Sequence, residues 1–241
     1  MSPTLPKKAL ISITSYCEPF YEDGSKTGLF YGEASHPWHV LTKAGFEVDF
    51  ASESGSYGLD DHSTSEDFLS KEDIAELNDP NSECSKAFKK IKKASDINAD
   101  EYGIFFASAG HATLFDYPTA STLQSIASEI YNNGGIVSTV CHGGSIFANL
   151  MDKKTGEHLV KGKKVTGFTD IGEDQMGITS ILEKYKLKTV QTIAEEVGAT
   201  YVHPPTPFGD WNLTDGRVVT GVNPASAHST AVAVVEAFNK L

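Results

Sequence analysis

The chain predicts an α/β protein built on a parallel sheet with helices on both faces. Short apolar runs alternate with helix-length amphipathic stretches, and the first of these form a β-α-β unit, which requires parallel strands and a crossover helix. A later run, Ile136 to Val140, stops at Cys141-His142 and is followed at once by Gly143-Gly144, the strand-turn-helix pattern of a nucleophile elbow. Polar stretches fall just beyond several such runs, where open α/β sheets bind their ligands.

The elements follow in order. Residues 8 to 15 read as a first strand, Glu33 to Ala44 as a helix ended by Gly45, and Glu47 to Ala51 as a second strand. From Ser52 to about Asn98 the pattern weakens into polar and acidic sequence with two short helical stretches, Lys71 to Leu77 and Ser85 to Lys93. This span, 52–98, is read as an insertion at the sheet edge, long enough to serve as a lid or a dimer contact. Tyr102 to Ala107 is the next strand, and Thr119 to Asn132 a helix stopped by Gly134-Gly135. After the elbow, Ser145 onward should open a helix and Val160 to Gly167 a further strand, followed by helical segments around Ile178 to Tyr185 and Val190 to Val197. Trp211 to Thr214 and Arg217 to Thr220 flank Asp215-Gly216, a hairpin signal. The last helix, Ala225 to Asn239, follows Asn223-Pro224, an N-cap and a first-turn proline. The whole chain, 1–241, is read as a single domain.

Composition narrows the function. With 20 basic and 32 acidic residues the formal charge is -12, and the only lysine-rich piece is short, near Lys86 to Lys93. Nucleic acid and anionic membrane surfaces are therefore poor candidates for the main partner. The N-terminal stretch lacks the apolar core of a signal peptide, and no apolar run is long enough to cross a bilayer, so a cytoplasmic location is expected. Three cysteines at wide spacing, Cys17, Cys84 and Cys141, fit neither a zinc pattern nor a disulfide framework. Cys17 and Cys84 are read as inert thiols.

Cys141 is the candidate nucleophile. A turn after a strand pushes its thiol clear of the sheet, and the positive end of a following helix would favour the thiolate. The N–H groups of Gly110 and His142, with Gly143 beside them, could form an oxyanion hole, each donor contributing roughly 3 kcal/mol when aimed at developing charge. His142 is the candidate base, although neighbours on a strand point to opposite faces and a direct contact with Cys141 is not guaranteed. Glu173, beyond the Gly167-Phe168-Thr169 stretch, is a candidate to orient it, and His111 to contact substrate. Glu33 opens the first helix. A carboxyl buried near the thiol would keep its proton and could shuttle it, whereas an exposed one would only complement the helix dipole. His36 and His39 share a helix face at a spacing that can bind metal, but with no acidic partner in register they are read as packing residues. His62, His158, His203 and His228 carry no comparable context.

Ala107-Ser108-Ala109-Gly110-His111, Val140-Cys141-His142-Gly143, Gly167-Phe168-Thr169 leading to Glu173, and Thr220 to Ser226 together resemble the PfpI superfamily, which includes the Parkinson disease protein deglycase. The resemblance runs over nearly the whole chain and is closest to the fungal glutathione-independent glyoxalase (glyoxalase III) branch, also described as heat-shock chaperones. It implies a flavodoxin-like (class I glutamine amidotransferase-like) fold, a homodimer, and conversion of the 2-oxoaldehyde methylglyoxal and water to D-lactate by a lyase needing no cofactor and no metal. It further implies Cys141 as nucleophile, His142 and Glu173 completing a triad, and Glu33 as the acid/base carboxyl. Gly144 departs from the pattern, since many relatives carry proline there. Two other functions fit the residues: a cysteine peptidase or amidase, and a non-enzymatic chaperone that binds misfolded client proteins.

Overall fold

Alternate side chains of each apolar run leave for opposite faces of one sheet, and that alternation builds two cores. The computed structural model describes residues 5–241; residues 1–4, part of the N-terminal stretch read for targeting signals, lie outside them. The sheet comprises β1 (Lys8–Ser12), β2 (Glu47–Ser52), β3 (Lys92–Lys93), β4 (Ile104–Ala107), β5 (Ile136–Val140), β6 (Asn212–Asp215) and β7 (Val218–Gly221). Their spatial order is β6-β7-β5-β4-β1-β2-β3. Every neighbouring pair is parallel except the β6–β7 hairpin. Taken without the edges, β2-β1-β4-β5-β7 is the 2-1-3-4-5 order of flavodoxin-like folds.

Ile11, Phe106, Ile136 and Val219 face one side, where they meet the helices Gly32–Lys43 and Ala227–Phe238. Leu10, Phe105, Val137 and Val218 face the other, against Ser121–Asn132 and Val190–Glu196. Each buried Leu, Ile or Phe contributes roughly 2 kcal/mol relative to exposure, so the central strands are held from both sides. Ser12, Ala107 and Thr139 align across β1, β4 and β5, which brings the loops after these strands to one edge.

Several elements differ from expectation. β1 ends at Ser12 because Thr14 and Ser15 turn away to donate to the partly buried Asp116 carboxylate, at 3.0 and 2.6 Å. The expected strand from Val160 to Gly167 reduces to Lys164–Val165, which pairs with Thr200–Tyr201 in a separate small sheet. Val160 is a buried core residue outside any strand, so the apolar signal there reflects packing without pairing, whereas Val165 is both buried and paired. Within the span 52–98, Lys92–Lys93 forms the edge strand β3, and the second helix is Glu83–Lys89, opened by Ser82, whose hydroxyl accepts from Ser85 N–H. Acidic partners for the paired histidines exist after all. His36 Nε2 lies 3.1 Å from Asp73 and His39 Nε2 2.7 Å from Glu76, both on the insertion helix Lys71–Asn78, too distant in sequence for a register argument to find. Among the described residues no helix is long and apolar enough to cross a membrane.

Candidate active site

The residue that ends β5 adopts a backbone conformation that side chains avoid. Cys141 has φ of 54°, and holding a non-glycine residue there costs on the order of 1 to 3 kcal/mol, a cost met only where surrounding structure fixes the turn. The chain then runs as 3₁₀ turns over Cys141–Asn149, so the α-helix expected from Ser145 is absent. Gly144 is required by packing: a Cβ there would stand 2.6 Å from Val190 Cγ1. Gly143 is buried in the same turn against the Ala107 and Ser108 carbonyls.

Three loops converge on the thiol. After β1 the chain reaches Phe30, whose N–H donates to the Ala109 carbonyl (2.8 Å), tying the start of the Gly32–Lys43 helix to the loop after β4. Gly110 in that loop has φ of 129°, and a Cβ would meet the Gly28 carbonyl oxygen at 2.1 Å. Gly110→Ala should therefore lower unfolding free energy by about 3 kcal/mol or more in denaturant titrations, since it combines a forbidden dihedral with a backbone clash. From the third loop, the Thr169 hydroxyl accepts Gly172 N–H and opens the short helix Asp170–Gln175, which turns Glu173 inward.

The resulting network runs in one line. Cys141 Sγ lies 3.2 Å from His142 Nδ1, and His142 Nε2 lies 2.7 Å from Glu173 Oε1. The contact that strand alternation left open thus forms, because the left-handed turn at Cys141 breaks the alternation. Glu173 Oε2 also lies 3.0 Å from His111 Nε2, and the two imidazole rings stand 4.0 Å apart. Burial alone would raise Glu173, but His111 and His142 outweigh it and hold the carboxyl well below its usual range. Burial, with His111 adding to it, lowers His142 to about 4 against the pull of Glu173. At neutral pH a neutral His142 donates from Nε2 to an ionised Glu173, which leaves Nδ1 free to accept the thiol proton.

Glu33 is completely buried, and among the described residues the Cys141 thiol is the group its carboxyl faces most closely. Burial raises it to about 8, with Cys141 beside it pulling downward and Asp60 adding a smaller push upward. The carboxyl is therefore protonated at neutral pH, and it stands beside the thiol. The thiolate expected from a helix dipole is not the resting form: burial and then Glu33 push the thiol up, opposed by His142 N–H.

Cys141, 3% exposed, reaches a cavity of about 400 Å³ walled by Tyr21, Phe30, Phe68, Phe168 and Phe208. Gly110, His111 and His142 also line it, and among the described residues the Gly110 N–H has no acceptor. His62, read as lacking context, is part of the wall, as is Phe68 from the same span. The buried Asp60 arranges that wall by accepting from Tyr21 OH (2.8 Å), His62 N–H (3.0 Å) and Ser63 N–H (3.1 Å). The sequence marks of these residues were faint: an Asp-Asp-His cluster and scattered aromatics far from the elbow. Among the described residues two groups of side chains could hold a metal ion, His111 with His142 and Glu173, and His39 with Glu76 and Cys84.

The model of the DJ-1/PfpI family matches residues 31–237. The chain is 55% identical to the Saccharomyces cerevisiae protein named glutathione-independent glyoxalase HSP31, over 97% of this chain and 98% of that one. It is also 55% identical to glyoxalase 3 of Candida albicans, over 96% and 98%. The crystal structure of glyoxalase III from Candida albicans superimposes with a TM-score of 0.94 at 55% identity, covering 96% of this chain and 97% of that one. A Francisella tularensis protein of 24 kDa, Rapid Encystment Protein, matches with a TM-score of 0.84 at 25% identity.

Proposed function

The chain belongs to the DJ-1/PfpI family, and on that premise we propose that it is a glutathione-independent glyoxalase, converting methylglyoxal and water to D-lactate through a hemithioacetal on Cys141. The observation that carries this reading is the buried, protonated Glu33 carboxyl beside the thiol. An aldehyde-to-acid rearrangement needs a group that gives and takes protons at two adjacent carbons, and peptide hydrolysis does not.

The steps follow from the geometry. As Sγ bonds to the aldehyde carbon, the thiol proton passes to His142 Nδ1, and the carbonyl oxygen, held by the N–H groups of Gly110 and His142, takes the Glu33 proton. The Glu33 carboxylate then removes the proton from that carbon. His142 returns its proton to the neighbouring carbonyl oxygen, which gives an enediol. Glu33 next protonates the second carbon while the first hydroxyl proton moves to His142, leaving a lactoyl thioester. Water attacks the thioester and gives its proton to Glu33. His142 protonates the departing sulfur, lactic acid leaves, and all three groups return to their starting states. Every proton in this lyase scheme is carried by a side chain of the protein.

The reading is tested by NMR on the purified chain with methylglyoxal and no glutathione. Lactate should appear one-for-one with aldehyde loss; peptide cleavage without lactate would favour the cysteine peptidase instead. The pH profile is a second check. His142 must be neutral and Glu33 protonated, so kcat/KM should form a plateau between about 4 and about 8. Loss of the alkaline limb in the residual activity of Glu33→Gln would assign that limb to Glu33. Assembly as a homodimer belongs to the same proposal, and a single-chain mass by light scattering would remove it.

A further inference from the structure

A second cluster of chemically capable side chains lies outside the reaction site, where the insertion meets the first helix. His39 projects from the helix Gly32–Lys43, Glu76 from Lys71–Asn78 and Cys84 from Glu83–Lys89. One donor atom from each lies within 4.8 Å of the others, and His39 Nε2 stands 2.7 Å from the Glu76 carboxylate. Cys84 is free and fully buried, which leaves the cluster one protected side and, through the half-exposed His39, one open side.

The buried Tyr31 hydroxyl faces the same place, beside Cys84 and near Glu76 and Asp73. His36 and Asp73 form a parallel pair one turn earlier, so the first helix and the first insertion helix already present polar groups toward one another.

We propose that His39, Glu76 and Cys84 form a zinc site that clamps the insertion onto the first helix. The donor set decides the metal. Imidazole nitrogen and thiolate sulfur are poor ligands for magnesium or calcium and good ones for zinc, which takes three protein ligands and a water in tetrahedral geometry. Zinc holds nitrogen and oxygen at about 2.0 to 2.2 Å and sulfur at about 2.3 Å, so the His39–Glu76 contact opens slightly and Cys84 closes in. As the zinc–sulfur bond forms, the thiol proton leaves to solvent. The clamped helix begins with Gly32-Glu33, and the insertion carries His62 and Phe68 of the cavity wall, so the ion would stiffen two sides of the reaction site.

The test uses the full chain carrying Cys141→Ser, which removes the reactive thiol as a competing ligand. Loaded with zinc and desalted, it should retain one ion per chain by elemental analysis, and cobalt should give a sulfur-to-cobalt charge-transfer band in the near ultraviolet. Adding Cys84→Ser should abolish the band. Adding His39→Ala, at a half-exposed position where folding is not at risk, should abolish retention and the zinc-dependent rise in Tm. The proposal is overturned if the Cys141→Ser chain retains no ion. It is equally overturned if His39→Ala retains one and Glu173→Gln does not, which would place the ion on His111, His142 and Glu173.

Discussion

Cys141→Ala is expected to lower lactate formation from methylglyoxal by about four orders of magnitude or more, because no other group near the aldehyde can form the covalent intermediate that splits the reaction into two easy halves. Gly110 and His142 donors, His142 and Glu33 all remain, so residual turnover should reflect binding and polarisation alone. A stability comparison accompanies this result. Cys141 sits at φ 54°, where alanine is strained and glycine is not. Cys141→Gly should therefore unfold with a free energy about 1 kcal/mol higher than Cys141→Ala, the reverse of the usual order for these residues. Equal stabilities in denaturant titrations would mean that the turn relaxes once the thiol is removed, and that the strain serves only to aim it.

Glu33→Gln should reduce turnover by roughly two to four orders of magnitude, since glutamine keeps the shape and loses the transferable proton. Its effect on stability has the opposite sign and depends on pH. In the folded protein Glu33 is raised from 4.5 to about 8, so between these values the folded state holds a proton that the unfolded chain has released. The favourable contribution is complete below the unfolded value and is lost as pH rises to about 8. Between pH 5 and pH 8 this one group should remove on the order of 3 kcal/mol of stability. Glu33→Gln is free of that loss, and its stability relative to wild type should rise across the same window. Parallel curves for the two proteins would show that the carboxyl is not held protonated.

How much of this was readable depended on distance along the chain. The elbow was legible because strand, cysteine and two glycines are contiguous, and the alternation of Leu10 with Ile11 and Phe105 with Phe106 carries both faces of the sheet in a few residues. Glu33 was ambiguous. A carboxylate at a helix start has an ordinary reason to be there, and only burial against Cys141 separates a proton carrier from a dipole partner. The strand expected at Val160 to Gly167 shrinks to Lys164–Val165 because apolar residues mark burial whether or not the backbone pairs. The cavity wall was unreadable for a different reason, since Tyr21, Phe68 and Phe208 meet only through folds of irregular chain, which has no period to read. The same holds for His36 and His39, whose acidic partners arrive from the insertion.

The aromatic wall has a consequence for the form in which substrate can enter. In water an aldehyde next to a carbonyl stands largely as its hydrate, a geminal diol with no electrophilic carbon. Phe30, Phe68, Phe168 and Phe208 offer that diol nothing to replace its water contacts. The cavity is therefore expected to favour the minor, anhydrous aldehyde, so that the enzyme draws on a pool refilled only by spontaneous dehydration. At high enzyme concentration, progress curves should show a fast phase equal to the free aldehyde present, followed by a slow phase whose rate no longer depends on the amount of protein.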